Sequence, residues 1–91
     1  MSEWLGLGGA TVLIAGAGGL GAACAAGFAN VGARVVVTDR DETRLKELDR
    51  RLALGDRRGG THTADLSARG AAANVVKQVV TEYGGIDVLV H

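Results

Sequence analysis

Three stretches of the chain are apolar almost without a break, and the segments between them carry apolar residues at helical spacing. The stretches are Val12-Leu13-Ile14-Ala15, Ala33-Arg34-Val35-Val36-Val37-Thr38 and Ile86-Asp87-Val88-Leu89-Val90. Parallel strands covered on both faces read this way, because neither face alternates with a wet one. Thr61-His62-Thr63-Ala64 reads as a further strand, less apolar and therefore nearer a sheet edge. A helix is predicted over Leu20–Val31, with Leu20, Cys24, Phe28 and Val31 as its apolar stripe and Gly32 as its stop. Asp41 can cap a second helix running to about Leu54, with Leu45, Leu48 and Leu52 inward and the pairs Glu42–Lys46 and Glu47–Arg51 on the wet face. Gly55 to Gly60 reads as a charged loop. Ser67 can cap a third helix to about Tyr83, with Val75, Val76, Val79 and Val80 as a broad apolar face and Gly84-Gly85 ending it. The order β-α-β-α-β-α-β predicts an α/β fold with a doubly wound parallel sheet, strand order 3-2-1-4. Right-handed crossovers place the first two helices on one face and the third on the other.

Composition narrows the partners more than the fold. The chain has 91 residues, one small domain's worth, and 10 basic side chains balance 10 acidic ones. That balance points away from nucleic acid and anionic lipid. No apolar run approaches the roughly 20 residues that span a bilayer, and Met1-Ser2-Glu3-Trp4 lacks the basic start of a secretory leader. The single cysteine, Cys24, lies among alanines and reads as a small core residue; without a disulfide partner it makes a cytoplasmic location the expectation. His62 and His91 have no metal-ligand partners at useful spacing, so no metal site is expected. The arginines 50, 51, 57 and 58, interleaved with Asp49 and Asp56, read as a solvated helix end rather than a phosphate patch.

The candidate chemistry sits where the first strand meets the first helix. Gly16, Gly18 and Gly21 spell G-x-G-x-x-G, with Gly19 and Leu20 inside the same turn. The first glycine permits the tight turn, the second leaves bare backbone for a pyrophosphate, and the third lets the helix lie close to the strand. Unpaired amides and the positive dipole end of the helix favour an anion there. Asp39 closes the second apolar run, 18 residues after Gly21, near the roughly 20 expected for an acid that holds the ribose of a dinucleotide. Its charge would repel the 2′-phosphate of NADP and so favours NAD; Arg40 beside it can hold that phosphate and pulls the other way. Asp39 also reads as a cap for the following helix. The whole chain, 1–91, then reads as a single partial NAD(P)-binding domain of Rossmann type, ending after its fourth strand.

Four segments together resemble the N-terminal half of the short-chain dehydrogenases/reductases. They are the glycine turn 16–21, Val-Val-Val-Thr-Asp-Arg at 35–40, Ala-Asp-Leu-Ser at 64–67 and Gly-Gly-Ile-Asp-Val-Leu-Val at 84–90. The resemblance implies an NAD(P)-dependent oxidoreductase, with Asp65 accepting from the adenine amino group and Leu66 packing on the ring; a helix cap is the plainer role for Asp65. The glycine turn is one residue shorter than the family's Gly-x-x-x-Gly-x-Gly, and Ala15 stands where the family often has a hydroxyl. The family's Asn-Asn-Ala-Gly segment would begin at His91, and its catalytic serine and Tyr-x-x-x-Lys pair lie later still. Tyr83 is not that tyrosine, since Asp87 stands four residues on. No catalytic residue is therefore assigned, and these residues alone are expected to be inactive. Two other readings stay open: a non-catalytic nucleotide-binding module completed by a partner chain, and the ATP-binding segment of a ubiquitin-activating-enzyme-like adenylating protein, whose glycine turn is similar. The apolar fourth strand, left as an edge, is expected to drive self-association or pairing with a complementing chain.

Overall fold

A computed structural model describes residues 8–91; the reading of Met1–Trp4 lies outside the described residues. The chain alternates as the apolar runs require: β1 (Thr11–Ala15), α1 (Gly19–Asn30), β2 (Arg34–Asp39), α2 (Glu42–Leu52), β3 (Gly60–Thr63), α3 (Ala71–Tyr83) and β4 (Val88–Val90). The four strands form one sheet in the order β3-β2-β1-β4. All three pairings are parallel, with Leu13 beside Val36 on one side and beside Leu89 on the other, and with Thr38 beside His62. The weakly apolar Thr61–Thr63 segment does lie on an edge.

Alternation along the central strands divides the core in two. Val12 and Ile14 of β1 and Val35 and Val37 of β2 meet Ala25 and Ala29 of α1 and Leu45 and Leu48 of α2. Leu13 and Val36 point the other way, onto Val75 and Val79 of α3, with Leu66, Tyr83 and Ile86 at the margin. The first two helices therefore cover one face and the third covers the other. All of these strand residues are at most 2% exposed, so β1 and β2 are as buried as their unbroken apolar character demands.

The ends of the elements show which local signals prevailed. Helix α1 closes with Gly32 at φ +85°: its N–H reaches Ala29 O at 3.1 Å, and Ala33 N–H reaches Phe28 O at 3.1 Å. This paired arrangement is the glycine stop expected at that position. Helix α2 begins as read, the Asp41 carboxylate accepting from Arg44 N–H at 3.0 Å, and Glu42 pairs with Lys46 at 3.2 Å. It ends at Leu52, earlier than Leu54, because Ala53 turns left-handed at φ 52°. Asp87 ties the start of β4 to β1: its carboxylate accepts from Thr11 N–H, and its own N–H donates to Thr11 O, both at 2.8 Å.

Five expectations are corrected. Leu20 is 81% exposed, and the face of α1 that packs on the sheet is Ala25 and Ala29 with Ala22. Small residues let the helix approach closely, so the larger Leu20 stands outside; Cys24 and Phe28 are only half-buried at the margin of this core. The apolar face of α3 is narrower than read: Val75 and Val79 are buried, but Val76 and Val80 are 40% and 44% exposed. Ser67 does not cap α3. Its N–H and hydroxyl both donate to Asp65, closing a turn, and Gly70 at φ +79° interrupts the chain before the helix starts at Ala71. The cap reading of Asp65 fails for the same reason, and that of Asp39 fails because Asp41 occupies the cap of α2.

Candidate functional site

The carboxyl ends of β1, β2 and β4 open onto two adjoining recesses that share Ala15, Gly16 and His91. One, of about 240 Å³, is walled by Gly16, Gly18, Gly19, Leu20 and Gly21 of the turn, with Cys24 and Val90. The other, of about 210 Å³, is walled by Thr38, Asp39, Arg40, Ala64, Asp65 and Leu66. Every candidate residue read from the sequence thus lies on one crevice, at the point where the strand order reverses between β1 and β4. Open α/β sheets bind ligands at such a point.

The turn is built by two steric demands. Gly16 sits at φ +109°, a conformation that side chains rarely adopt, and its N–H is held by Thr38 O at 2.8 Å. A Cβ on Gly21 would be driven into the carbonyl of Gly16, so only glycine lets α1 start this close to β1. Gly18 is different: at φ −73° its backbone is ordinary, and bare space is what glycine leaves there. No side chain caps α1. Among the described residues, the N–H groups of Gly18, Gly19, Leu20 and Gly21 find no acceptor. Four amides gathered at a helix N-terminus form a seat for a phosphate oxygen.

Asp39 holds this turn against β2. Its Oδ2 accepts from Ala17 N–H at 2.7 Å and its Oδ1 from Asp41 N–H at 2.9 Å. The Ala17 bond, then the Asp41 bond, hold its carboxyl below the usual carboxylate range, against a smaller opposing effect of burial. The carboxylate is therefore charged at neutral pH, with lone pairs left for ribose hydroxyls. Asp65 is likewise held low, by the hydroxyl and N–H of Ser67. Thr38, one residue before Asp39, is 1% exposed, and its Oγ1 has no hydrogen-bond partner. The residues present fit the adenosine and pyrophosphate parts of a dinucleotide.

Three features of the crevice were not read from the sequence. Thr38 looked like one more strand residue. The Ala17 amide is marked out by its bond to Asp39, which spacing alone does not give. Arg44 carries no signal in the sequence, yet its guanidinium stands 3.7 Å from where a Cβ on Gly18 would lie. A third recess on that outer side, of about 430 Å³, is walled by Gly18, Gly19, Arg44, Glu47 and Arg51. Among the described residues no three His, Cys, Asp or Glu side chains gather as metal ligands, and no helix is long and apolar enough to cross a membrane.

Comparison with known proteins agrees with this layout. A family model described as short chain dehydrogenase matches residues 10–91. The short chain dehydrogenase/reductase dpmpG of Macrophomina phaseolina is 38% identical over 93 aligned positions, covering 99% of this chain and 53% of that protein. A metagenomic short-chain oxidoreductase solved in complex with NADP superposes with a TM-score of 0.82 at 34% identity, over 91% of this chain and 38% of that one. The 3-ketoacyl-(acyl-carrier-protein) reductase of Brucella melitensis, solved with NADH, gives a TM-score of 0.80 at 31% identity, over 91% and 33%. The chain spans 26% to 53% of the curated relatives it matches. With the strand order, the glycine turn and the family match in agreement from residue 10 onward, the chain belongs to the short-chain dehydrogenase family.

Proposed function

We propose that residues 10–91 form the cofactor-binding part of an NAD(P)-dependent oxidoreductase and seat the adenosine and pyrophosphate parts of the dinucleotide. The observation that carries this reading is the row of unpartnered amides at Gly18–Gly21, standing beside a charged Asp39 that braces the turn. The pyrophosphate lies on those amides, Asp39 accepts from the adenosine ribose, and Asp65 and Leu66 border the adenine. Leu20, exposed at the lip of the turn, offers its backbone amide and its apolar side chain. When bound, the nicotinamide dinucleotide supplies hydride transfer. This chain's own residues bind and orient one end of it; none is assigned as the proton donor. That two structural neighbours were solved with NADP and with NADH supports the cofactor class.

Asp39 favours NAD within that class, since its charge opposes a 2′-phosphate. The proposal extends to association through β4, with a second copy or a complementing chain, because β4 is an edge strand of this sheet and its Leu89 is 59% exposed. A cytoplasmic location fits a chain whose single thiol, Cys24, has no partner. Calorimetric titration with NAD, NADP and ATP tests the reading. NAD is expected to bind, and more tightly than ATP; no heat with any dinucleotide, or a preference for ATP, would overturn it.

A further inference from the structure

Strand β4 has a neighbour on one side only, at one end of the order β3-β2-β1-β4. Its open side can be read residue by residue. Asp87 donates its N–H to Thr11 O of β1. Main-chain groups of successive strand residues alternate in direction, so those of Leu89 also turn to β1, and those of Val88 and Val90 turn to the open side. Such an edge is a template for another strand.

Apolar surface flanks the edge on both faces. Val88 and Val90 lie on the α1 face with Cys24 and Phe28. Leu20, Cys24 and Val90 share the wall of one recess, while Cys24, Gly27, Phe28 and Val31 wall a second of about 290 Å³. The stripe Leu20, Cys24, Phe28 and Val31, which the core leaves outside or at its margin, therefore overlooks β4. On the other face Leu89 is 59% exposed, although Leu13 beside it is covered by α3. Neither α1 nor β4 contains a charged residue, and Glu82 of α3 is turned to His62 on β3, at the far edge of the sheet. Apolar surface free of charge is what the core of an interface is made of.

We infer that the occupant of this edge is a second copy of the chain, related by a two-fold axis normal to the sheet, so that an antiparallel β4–β4 pair joins the two sheets into one. The inference deepens the association reading of β4 given above and rests on it. This axis runs the two strands in opposite directions and sets like face beside like face, so the α1 stripes of both copies lie on the same side of the joined sheet. With Leu89 on the axis, Val88 of one copy and Val90 of the other exchange main-chain bonds, using the groups that point outward. Leu89 then faces its own counterpart as a non-hydrogen-bonded pair, with Cα atoms about 4.5 Å apart. Because α1 and β4 carry no charge, a copy meets a copy there without like-charge repulsion. Three strand residues alone fall short of the roughly 800 Å² that a stable interface buries on each partner; the flanking apolar side chains extend the contact.

Amide exchange of the unmodified chain at two concentrations about fiftyfold apart tests this. The Leu89 N–H is expected to be protected at both. The Val88 and Val90 N–H groups should exchange about tenfold more slowly at the higher concentration, in step with a shift from monomer to dimer in sedimentation. Leu89→Cys combined with Cys24→Ser adds a positional check: oxidation should link position 89 of one copy to position 89 of the other, since Cα atoms about 4.5 Å apart lie within disulfide reach. Monomer at every concentration would overturn the inference and leave the edge to a complementing chain. Dimers whose Val88 and Val90 amides stay unprotected would overturn the β4 pairing, and the exchange measurement decides this even if the cysteine variant fails to fold. A folded variant that dimerises without linking through position 89 would overturn the two-fold arrangement. The dinucleotide site is read separately, by calorimetry, and stands in each of these cases.

Discussion

Ala17 donates its N–H to Oδ2 of Asp39 at 2.7 Å, joining the glycine turn to the end of β2 across 22 positions of sequence. The acid that spacing marks as a ribose partner thus has a second role, which is to set the height of the turn on which the pyrophosphate would lie. Both roles fall to one carboxylate, and changes to it affect both.

Replacing Asp39 by alanine removes the Ala17 and Asp41 acceptors together. Expected outcomes are a loss of about 1 kcal/mol of stability, given the partial exposure of the group, weaker binding of every dinucleotide, and an end to any preference for NAD over NADP. Urea unfolding and calorimetric titration check these. Unchanged stability would show that the bond to Ala17 does not brace the turn.

Acid should act through the same carboxylate. Its folded value is lowered, so the stabilisation is fully present above the unfolded value near 4 and is lost as pH falls through the folded value below it. Thermal melting of the unmodified chain and of Asp39→Asn between neutral pH and about pH 2.5 is expected to converge at the acid end. A gap between them that stays constant would contradict this.

Gly21→Ala should be severe for its size. The added methyl meets the Gly16 carbonyl, which is main chain and has no rotamer to move aside. A loss of about 2 kcal/mol is expected from such overpacking, with weaker dinucleotide binding as the turn shifts. Gly19→Ala, at a position where the new carbon meets nothing, serves as the control and should lose about 0.5 kcal/mol or less.

The free edge of β4 gives a prediction about assembly. Leu89 lies beside Leu13 on the edge strand β4 and is 59% exposed. Leu89→Lys places a charge on that edge and should shift the chain toward monomer in sedimentation at fixed concentration. An unchanged distribution would place any self-association elsewhere.

How far the sequence could be read followed from how each residue does its work. Val12–Ile14 and Val35–Val37 are buried on both faces, so continuous apolar character gave both the strands and their central place. The glycines and Asp39 were legible because turn geometry and strand-to-strand reach fix their spacing. Leu20 was misplaced because hydropathy weights large side chains, whereas close packing of α1 depends on small ones, Ala25 and Ala29. The start of α3 was misplaced because Ser67 resembles a cap, and only the left-handed turn at Gly70 shows that the helix begins later. Arg44 was illegible for another reason: on a helix full of i,i+3 and i,i+4 partners, each charge looks solvated. Its nearness to Gly18 depends on how α2 packs against the turn.

The most direct measurement follows backbone amide resonances while NAD is added to the chain. The expected shifts fall on Gly18, Gly19, Leu20 and Gly21, with Ala17 and Leu66 beside them, and Asp39→Ala weakens them. Saturating NAD that leaves the Gly18–Gly21 amides unmoved, or shifts confined to other parts of the chain, would contradict a phosphate seat at this turn.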